Sequence, residues 1–505
     1  MLKNIRKVLV ANRGEIAVRI IRTCRDLGVQ TVAVYSEPDV ISPHTILADE
    51  SVCIGPAASA ESYLKMDTII QVALETGTDA IHPGYGFLSE NAAFARKCEE
   101  NGIIFIGPSG DSIEAMGDKM RAREMMDKAG VPYPPGTRKA LEDVAEAKEF
   151  AKEIGFPVLI KAAAGGGGKG MRIVDDAESF ESGIKAAQSE AKNAFGDARV
   201  YVEKYLESPR HVEFQILADK HGNYIHLFDR ECSIQRRHQK VVEEAPCAIL
   251  DDELRAEMAK AAIAAARSCA YYGAGTIEFM VDKHRNFYFL EMNTRLQVEH
   301  PITEKITGVD LVEWQLRVAE DQPLTFKQED IRRSGHAIEC RISAENPADQ
   351  FLPSTGQLTR FNAVTGPGVR VDEGVRTFQH VTIDYDPLIA KLITWGKNRE
   401  EAIRRMRRAL EEFEVGGIDT TIPFCRYVMD HEAFRHAQYD THFVKDHYSG
   451  ADITESVTGQ AAVAAAALLK HSDNEKHKQE APEISGNHAD GIHHTAMWWK
   501  NRKTH

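Results

Sequence analysis

Gly275-Thr276-Ile277-Glu278-Phe279-Met280-Val281 and, a few residues later, Asn286-Phe287-Tyr288-Phe289-Leu290-Glu291-Met292-Asn293 form the stretch that decides the fold. Both halves are rich in β-branched and aromatic residues, and the polar segment 282–285 separates them. This pattern predicts a β-hairpin. With a turn centred on His284-Arg285, Val281 faces Tyr288 and Glu278 faces Glu291.

The facing pair Glu278 and Glu291 predicts a metal site. Residues opposite each other in an antiparallel pair have Cβ atoms about 4.5–5.5 Å apart. Two carboxylates at that distance repel each other unless a cation lies between them, and their oxygen ligands suit Mg²⁺. Asn293 follows Glu291 by two residues and projects from the same face.

A polar row continues beyond the second strand with Arg295, Gln297 and Glu299. A polar row directly after such an apolar strand is expected to have a function, so we interpret the row as part of a ligand site. The alternative is an amphipathic hairpin with a solvated charged face.

Composition limits the class of protein. The chain has 505 residues, enough for about three domains of ~100–200 residues. Its net charge of −14 argues against a general nucleic-acid or membrane-surface binder. No apolar run reaches the ~20 residues of a membrane span, and the N-terminus has no signal-peptide layout. The eight cysteines form no Cys-x-x-Cys pair, so neither a zinc site nor a disulfide scaffold is implied, and a cytoplasmic location is expected.

The first 117 residues alternate short apolar strands with amphipathic helices, which predicts a doubly wound, Rossmann-like α/β unit with a parallel sheet. It has no Gly-x-Gly-x-x-Gly fingerprint, so no dinucleotide site is inferred. The turn His82-Pro83-Gly84-Tyr85-Gly86-Phe87 follows a strand, where open α/β sheets bind ligands. A plain Gly/Pro turn is an equally good interpretation.

A glycine cluster at 165–170, with Lys169 within it, lies between two predicted strands. It is not a Walker A loop, because glycine at 163 and Ser or Thr at 170 are missing. We interpret it as a strand–loop–strand flap over phosphates, with a glycine hinge as the alternative.

Lys119, in the first turn of a predicted helix from Asp118 to Ala129, indicates an anion at that helix end.

Arg236, His238 and Lys240 alternate, which predicts a row of cations on one side of an extended segment. Such a row suits phosphates or a small oxyanion, and a solvated basic patch is the alternative.

From Gly335 onward short strands and Gly/Pro turns predict a mostly β region closed by helices. The charged, His-rich end of the chain predicts a flexible tail.

Five motifs together resemble biotin carboxylase of the ATP-grasp superfamily: Val10–Ala17, His82–Asn91, the 165–171 glycine flap, Arg236–Lys240 and Glu291–Pro301. The resemblance covers about residues 1–447. It implies an N-terminal α/β domain (1–117), a central ATP-grasp domain (118–333) with a mobile glycine-rich lid (132–205), a mostly β C-terminal biotin carboxylase domain (334–447) and a tail (448–505).

The resemblance also implies an activity. A biotin carboxylase uses ATP and bicarbonate to carboxylate biotin through carboxyphosphate. The reaction requires Mg²⁺ or Mn²⁺, and two metal ions are expected. The sequence has no Ala-Met-Lys-Met, so biotin is expected on a separate biotin carboxyl carrier protein. We also expect a homodimer and a carboxyltransferase subunit, within an acetyl-CoA, acyl-CoA or pyruvate carboxylase.

The resemblance assigns roles residue by residue. The general base is Glu299, and Arg341 contacts biotin and stabilises its enolate. Bicarbonate binds to Lys240, Arg295, Gln297 and Val298, of which Lys240 and Arg295 are also counted as catalytic. Metal ligands are Glu278, Glu291 and Asn293. The nucleotide contacts are Lys119, Lys161, Gly166, Gly167, Gly168, Lys169, Gly170, Met171, Glu203, Lys204, Leu206, His211, Gln235 and His238.

Two other functions remain open from the sequence. Another ATP-grasp ligase that forms an acyl phosphate would share Glu278, Glu291 and the flap, but would not need the full set of Lys240, Arg295 and the residues after it. A non-catalytic nucleotide-binding regulator would keep the fold without turnover.

Overall fold

A five-stranded parallel sheet forms the N-terminal region of a computed structural model that describes residues 4–137, 139, 141–162, 171–195, 197–237 and 239–452. Its strand order is β3-β2-β1-β4-β5, all parallel, which confirms the doubly wound prediction. Apolar strands buried on both faces are typical of such sheets. The elements are β1 (Lys7–Val10), α1 (Gly14–Asp26), β2 (Gln30–Ser36), α2 (Pro43–Leu47), β3 (Glu50–Gly55), α3 (Met66–Glu75), β4 (Ala80–His82), α4 (Ala92–Glu100), β5 (Ile104–Phe105) and α5 (Gly110–Gly117).

A small antiparallel sheet follows, with strand order β7-β6-β8. Its first two strands flank the glycine cluster, as the strand–loop–strand interpretation predicts, although residues 163–170 lie outside the described part of the chain. Asp143 caps the helix before this sheet by accepting from two backbone N–H groups. The elements are α6 (Lys119–Ala129), α7 (Val144–Ile154), β6 (Val158–Ala162), β7 (Met171–Val174), α8 (Phe180–Phe195) and β8 (Val200–Lys204).

An eight-stranded antiparallel sheet is the main element of the chain, in the order β13-β12-β9-β10-β11-β14-β21-β19. Helix α9 packs on it through a core that includes Met258, Phe214 and Phe279, all completely buried. Burying one such side chain contributes about 1.5–3 kcal/mol. The elements up to this core are β9 (Arg210–Ala218), β10 (Tyr224–Arg236), β11 (Gln239–Ala245), α9 (Asp252–Ser268), β12 (Gly273–Val281), β13 (Phe287–Asn293), α10 (His300–Thr307) and α11 (Leu311–Ala319).

The remaining elements complete the large sheet and add short two-stranded pairs, as the predicted mostly β region requires. They are β14 (His336–Ser343), β15 (Glu345–Asn346), β16 (Leu352–Pro353), β17 (Gly356–Gln357), β18 (Arg360–Asn362), β19 (Val369–Glu373), β20 (His380–Val381), β21 (Leu388–Gly396), α12 (Arg399–Glu412), β22 (Glu414–Gly416), α13 (Ile422–Asp430), α14 (Glu432–Arg435) and α15 (Phe443–His447). No helix among the described residues is long and apolar enough to cross a membrane.

The hairpin β12–β13 forms, but half of its predicted register is wrong. Val281 pairs with Phe287, and Tyr288 pairs with Met280. An irregularity between Glu278 and Phe279 then shifts the pairing by one residue, so Glu278 does face Glu291 as predicted. A β-bulge of this kind adds one residue to one strand and re-aims the side chains beyond it.

The predicted extended row of cations is also wrong. Arg236 ends β10 and pairs with Gln239 at the start of β11, so the chain reverses between them. Arg237, inside this turn, has a φ of +48°, in the left-handed region. Arg236 and Lys240 therefore stand on different strands, and His238 lies outside the described residues.

Candidate active site

Four charged side chains form a row across the large sheet: Arg230, Glu213, Glu278 and Glu291. The register places each beside the next on strands β10, β9, β12 and β13. The row borders a cleft of about 1230 Å³ that Glu278 and Glu291 line. Because neighbouring strands bring these residues together, the site depends on sheet register rather than on closeness in sequence.

Lys240 is the centre of the charges in the cleft. Its Nζ donates to Glu213 Oε2 at 2.6 Å, to Glu278 Oε1 at 2.9 Å and to Glu299 Oε1 at 2.6 Å. Burial disfavours the charged ammonium, but the three carboxylates outweigh burial and hold the pKa of Lys240 well above its usual value. Lys240 is therefore a fixed positive charge at neutral pH.

The predicted metal ligands Glu278 and Glu291 differ in their surroundings. Burial would raise the pKa of Glu278, but Lys240 and His211 outweigh it and hold that pKa well below its usual range. Burial, and then repulsion by Glu278, raise the pKa of Glu291. A divalent cation between the two would relieve this repulsion, and the oxygen donors fit Mg²⁺.

His211 and Glu213 extend the possible donor set. Together with Glu278 they present ligand atoms that all lie within 4.8 Å of one another. His211 Nε2 lies 2.9 Å from Glu278 Oε2. These residues fit a cation held on the acidic row.

Two amides also converge on Glu278. Asn293 Nδ2 donates to Glu278 Oε1 at 2.8 Å, and Gln297 Nε2 donates to the same oxygen at 2.7 Å. Arg230 fixes the other end of the Gln297 amide by donating to its Oε1 at 2.6 Å. Gln297 thus has one orientation in this cleft.

Arg295 lies at the edge of the same group. Its guanidinium donates to Glu90 Oε2 at 2.8 Å and to Asn293 Oδ1 at 2.8 Å. Glu90 comes from the N-terminal region, so Arg295 joins that region to the polar row. Burial opposes its charge, but Glu90 outweighs burial and raises the pKa of Arg295.

Glu299 and Arg341 also line the cleft. Arg341 donates to Glu299 Oε2 at 2.8 Å and to Glu243 Oε1 at 2.6 Å. Burial would raise the pKa of Glu299, but Lys240, Arg341 and Arg230 outweigh burial and hold that pKa well below its usual value. Glu299 is therefore ionised at neutral pH.

Several of the predicted nucleotide contacts line the same cleft. Lys161 forms an ion pair with Glu203, which Arg123 also contacts. The Lys204 ammonium donates to the carbonyls of Gly155 and Phe156, at 3.0 and 2.9 Å. The other predicted contacts that line the cleft are Met171, Leu206, His211 and Gln235.

Several predicted contacts cannot be placed. Gly166, Gly167, Gly168, Lys169, Gly170 and His238 lie outside the described residues. The backbone of Lys119 begins helix α6, as predicted within one residue, but its side chain is outside the described part of the structure.

The sequence prediction missed Glu213, Arg230, Glu243 and Lys391. A usable signal existed for Glu213, because it follows His211 by two residues and so shares its face of the strand. Arg230 is completely buried and makes five hydrogen bonds, to Glu213, Gln215, Thr276, Thr303 and Gln297. Three successive charged residues in the middle of a strand, Asp229-Arg230-Glu231, are a signal for such a network.

A small antiparallel sheet facing an acidic row on a larger antiparallel sheet defines an ATP-dependent ligase of the ATP-grasp class. Three sequence models of families match the chain: "Biotin carboxylase, N-terminal domain" at residues 4–113, "Carbamoyl-phosphate synthase L chain, ATP binding domain" at 118–327 and "Biotin carboxylase C-terminal domain" at 339–446. The chain belongs to the biotin carboxylase family.

Similar proteins agree with this membership. Biotin carboxylase 1 of Bacillus subtilis is 54% identical over 442 residues, which are 87% of this chain and 98% of the relative. A pyruvate carboxylase subunit of Methanothermobacter thermautotrophicus is 54% identical over 446 residues, 88% of this chain and 91% of the relative.

Solved structures share the fold. The biotin carboxylase domain dimer of 2-oxoglutarate carboxylase from Hydrogenobacter thermophilus, in complex with MgADP, ADP and bicarbonate, is 51% identical, with a TM-score of 0.81 over 88% of this chain and 98% of that one. Biotin carboxylase from Campylobacter jejuni, in a nucleotide complex, is 46% identical, with a TM-score of 0.82 over 88% and 99%.

Proposed function

We propose that this chain carboxylates biotin, with ATP and bicarbonate as the other substrates and carboxyphosphate as the intermediate. The observation that carries the proposal is the ionised Glu299, held between Lys240 and Arg341. It places one base and two permanent cations around a space suited to a small oxyanion. Family membership and the bicarbonate-bound relative support the same function.

The first step uses Glu299 as the base. Glu299 removes the proton of bicarbonate, and a bicarbonate oxygen attacks the γ-phosphorus of ATP, so that ADP leaves. Lys240, Arg295 and Gln297 hold the oxyanion through directional, charge-assisted hydrogen bonds. Mg²⁺ on Glu278 and Glu291, with Asn293 nearby, would neutralise phosphate charge during this transfer.

The low pKa of Glu299 fits this role once bicarbonate is bound. Without ligand, Lys240 and Arg341 stabilise the Glu299 carboxylate. A bound anion shares those cations and adds its own negative charge, which raises the pKa of Glu299 towards that of an effective base. The base is thus strengthened by its own substrate.

The second step uses Arg341. Carboxyphosphate breaks at its carbon–oxygen bond to CO₂ and phosphate, the released phosphate takes the proton of the biotin ureido nitrogen, and that nitrogen attacks CO₂. The Arg341 guanidinium meets the negative charge that develops on the ureido oxygen. Lys161 and the flap are the phosphate contacts, and Glu203 to Leu206, with Met171, His211 and Gln235, border the nucleotide.

We also propose that the biotin is carried by a biotin carboxyl carrier protein, that a carboxyltransferase uses the product, and that the chain forms a homodimer. Relatives named as carboxylase subunits, together with the dimer described for the Hydrogenobacter domain, support these partners. Light scattering of the purified chain at micromolar concentration tests the dimer, and a monomer mass would contradict it.

The deciding experiment measures ADP release by the purified chain with MgATP, with and without bicarbonate and free biotin. We expect ADP release that requires bicarbonate and is stimulated by biotin. Release that is indifferent to biotin, even on biotinylated carrier, would favour another ATP-grasp ligase. No release under any condition would favour a non-catalytic nucleotide binder.

A further inference from the structure

A completely buried lysine, Lys391 on β21, contacts the backbone next to the proposed base. Its Nζ donates to the carbonyl of Val298 at 2.9 Å and lies 3.0 Å from Glu15 Oε2 and 3.9 Å from Asp372 Oδ2. Its side chain is 0% exposed. An ammonium buried to this extent is tolerated only with charged and hydrogen-bonding partners, so the environment of Lys391 is built around it.

The Val298 carbonyl needs a side-chain donor because of the local sequence. Helix α10 begins at His300, and a carbonyl at its start normally accepts from an N–H three or four residues later. The residue three positions later is Pro301, which has no N–H. The N–H of Ile302, four positions later, donates to the Glu299 carbonyl at 3.3 Å. Lys391 supplies the donor that the helix start lacks.

The preceding carbonyl is fixed in a similar way. The Nδ1 atom of His300 lies 2.7 Å from the carbonyl oxygen of Gln297. Buried side chains thus hold two successive peptide groups, at Gln297 and Val298, immediately before Glu299. These are the residues that the family resemblance assigns to bicarbonate.

The other end of the contact also reaches the cleft. Glu15 Oε1 accepts a hydrogen bond from the hydroxyl of Tyr85, which lines the cleft. Glu15 is buried on helix α1, and burial, only partly offset by Lys391, raises its pKa to about 7. A Cβ on Gly374 would lie 2.4 Å from the Glu15 backbone nitrogen, so the C-terminal strands pack directly on this helix.

We propose that Lys391 is a positioning residue for the bicarbonate pocket, which holds the Val298 peptide group in place and is itself held by Glu15 and Tyr85. Three segments far apart in sequence meet in this contact chain: the 82–87 turn with helix α1, the 297–299 loop and strand β21. The inference rests on the proposed function, because it concerns the site where bicarbonate is bound.

The test compares kinetic constants of the full chain and its variants. Lys391→Met keeps the length of the side chain and removes the donor. We expect the KM for bicarbonate to rise about tenfold or more, while the KM for MgATP stays within about twofold, because the contact touches only the bicarbonate loop. Lys305→Met, an exposed lysine on α10, is the matched control and should leave both constants unchanged.

A second variant separates positioning from stability. Lys391→Met leaves the Glu15 carboxylate buried without its cation, which lowers the melting temperature. Lys391→Met/Glu15→Gln replaces the carboxyl group that has lost its partner by a neutral amide, so we expect it to recover melting temperature without recovering the KM for bicarbonate. If the single variant does not fold, the double variant carries the same test.

The outcomes distinguish the inference from the function on which it rests. Recovery of the bicarbonate KM in the double variant, or an unchanged KM in a folded Lys391→Met variant, would show that Lys391 is only structural. Wild-type chain without bicarbonate- and biotin-dependent ADP release would overturn the proposed function, and the inference with it.

Discussion

Glu243 and Glu244 are neighbours on strand β11, yet they belong to two different buried networks. Successive residues of a strand point to opposite faces. Glu243 faces the cleft and pairs with Arg341, whereas Glu244 faces away and accepts hydrogen bonds from Arg399, His336 and Tyr439. The sheet therefore separates two ionic clusters by the thickness of one backbone.

The two clusters differ in charge balance. Burial, reinforced by Glu299, raises the pKa of Glu243 to about 7 despite Arg341. Burial also opposes the charge of Glu244, but Arg399 and His336 outweigh it and hold the pKa of Glu244 far below its usual range. The cleft face carries surplus carboxyl groups, including Glu339, which faces Glu243 in the register and has both oxygens unpartnered among the described residues.

The difference indicates what each face is for. On the rear face, the paired charges join β11 to α12 and to the α14–Tyr439 segment through Arg399, which also donates to the carbonyls of Phe434 and Arg435. On the cleft face, the charges of the side chains do not balance one another. A bound metal cation and a bound anion can neutralise the charges that remain. Substitutions on the cleft face should change chemistry, and substitutions on the rear face should change stability.

The largest effect is expected for Glu299→Gln on the cleft face. Loss of a general base should reduce biotin-dependent ADP release by about 10²–10⁴-fold, because Glu299 is the group that takes the bicarbonate proton in the proposed first step. Affinity for MgATP, measured by calorimetry, should stay near wild type. Glu345→Gln, a half-buried carboxylate that also lines the cleft, is the control, and equal turnover in both variants would remove Glu299 from the role of base.

Glu244→Gln should give the reverse result. Removing this carboxylate leaves the Arg399 charge without its counter-ion, so we expect a loss of about 3–5 kcal/mol in urea unfolding with KM values near wild type. The exposed Glu432→Gln, in a surface ion pair, should change stability by less than about 1 kcal/mol. A catalytic defect in a stable Glu244→Gln variant would break the comparison between the two faces.

Lys240→Ala should weaken the binding of bicarbonate. One of the cations that hold the oxyanion is lost, so the KM for bicarbonate should rise about 10–100-fold, or about 1.4–2.8 kcal/mol. Steady-state assays with varied bicarbonate measure this change. Lys283→Ala, an exposed lysine in the hairpin turn, is the control, and an unchanged bicarbonate requirement would remove Lys240 from the pocket.

The smallest predicted effect concerns how the free energy of unfolding depends on pH. The pKa of Glu243 rises from 4.5 to about 7 on folding, so between these values the native state binds more protons than the unfolded state. Stability from this group is full below pH 4.5 and falls as pH rises towards 7, by at most about 1.4 kcal/mol per pH unit. Unfolding free energies at pH 5 and pH 7 should show a smaller fall in Glu243→Gln than in wild type.

Substitution on the rear face has the opposite sign. The pKa of Glu244 is lowered on folding, so its contribution is present above pH 4.5 and is lost as pH falls below that value. Glu244→Gln should therefore be less acid-sensitive than wild type. Identical pH profiles for the two single variants would contradict the separation of the faces.

Patterns within one segment predicted much of this site. The hairpin pattern predicted that Glu278 faces Glu291, and the βα rhythm predicted the parallel sheet. The bulge after Glu278 and the turn at Arg237 were not predicted, because both depend on single backbone irregularities that hydrophobic alternation does not encode.

Contacts between distant segments were the other limit. Glu213 and Arg230 could be suspected from their strands, but no local pattern relates Lys391 to Val298, which are 93 positions apart. Burial of Lys391 is decided by the packing of α1, β19 and β21 around it. Sequence periodicity predicts which face of an element is buried. It does not predict which charged residue of a distant segment packs against that face.

The packing of helix α1 against the C-terminal strands has a consequence for biosynthesis. Arg22 and Glu373, which pair across this junction, are 351 positions apart. A ribosome adding about 5–20 residues per second makes the second partner roughly 20–70 s after the first. During that interval the helix has emerged without the strands that cover it, so completion of the cleft is a late event of translation.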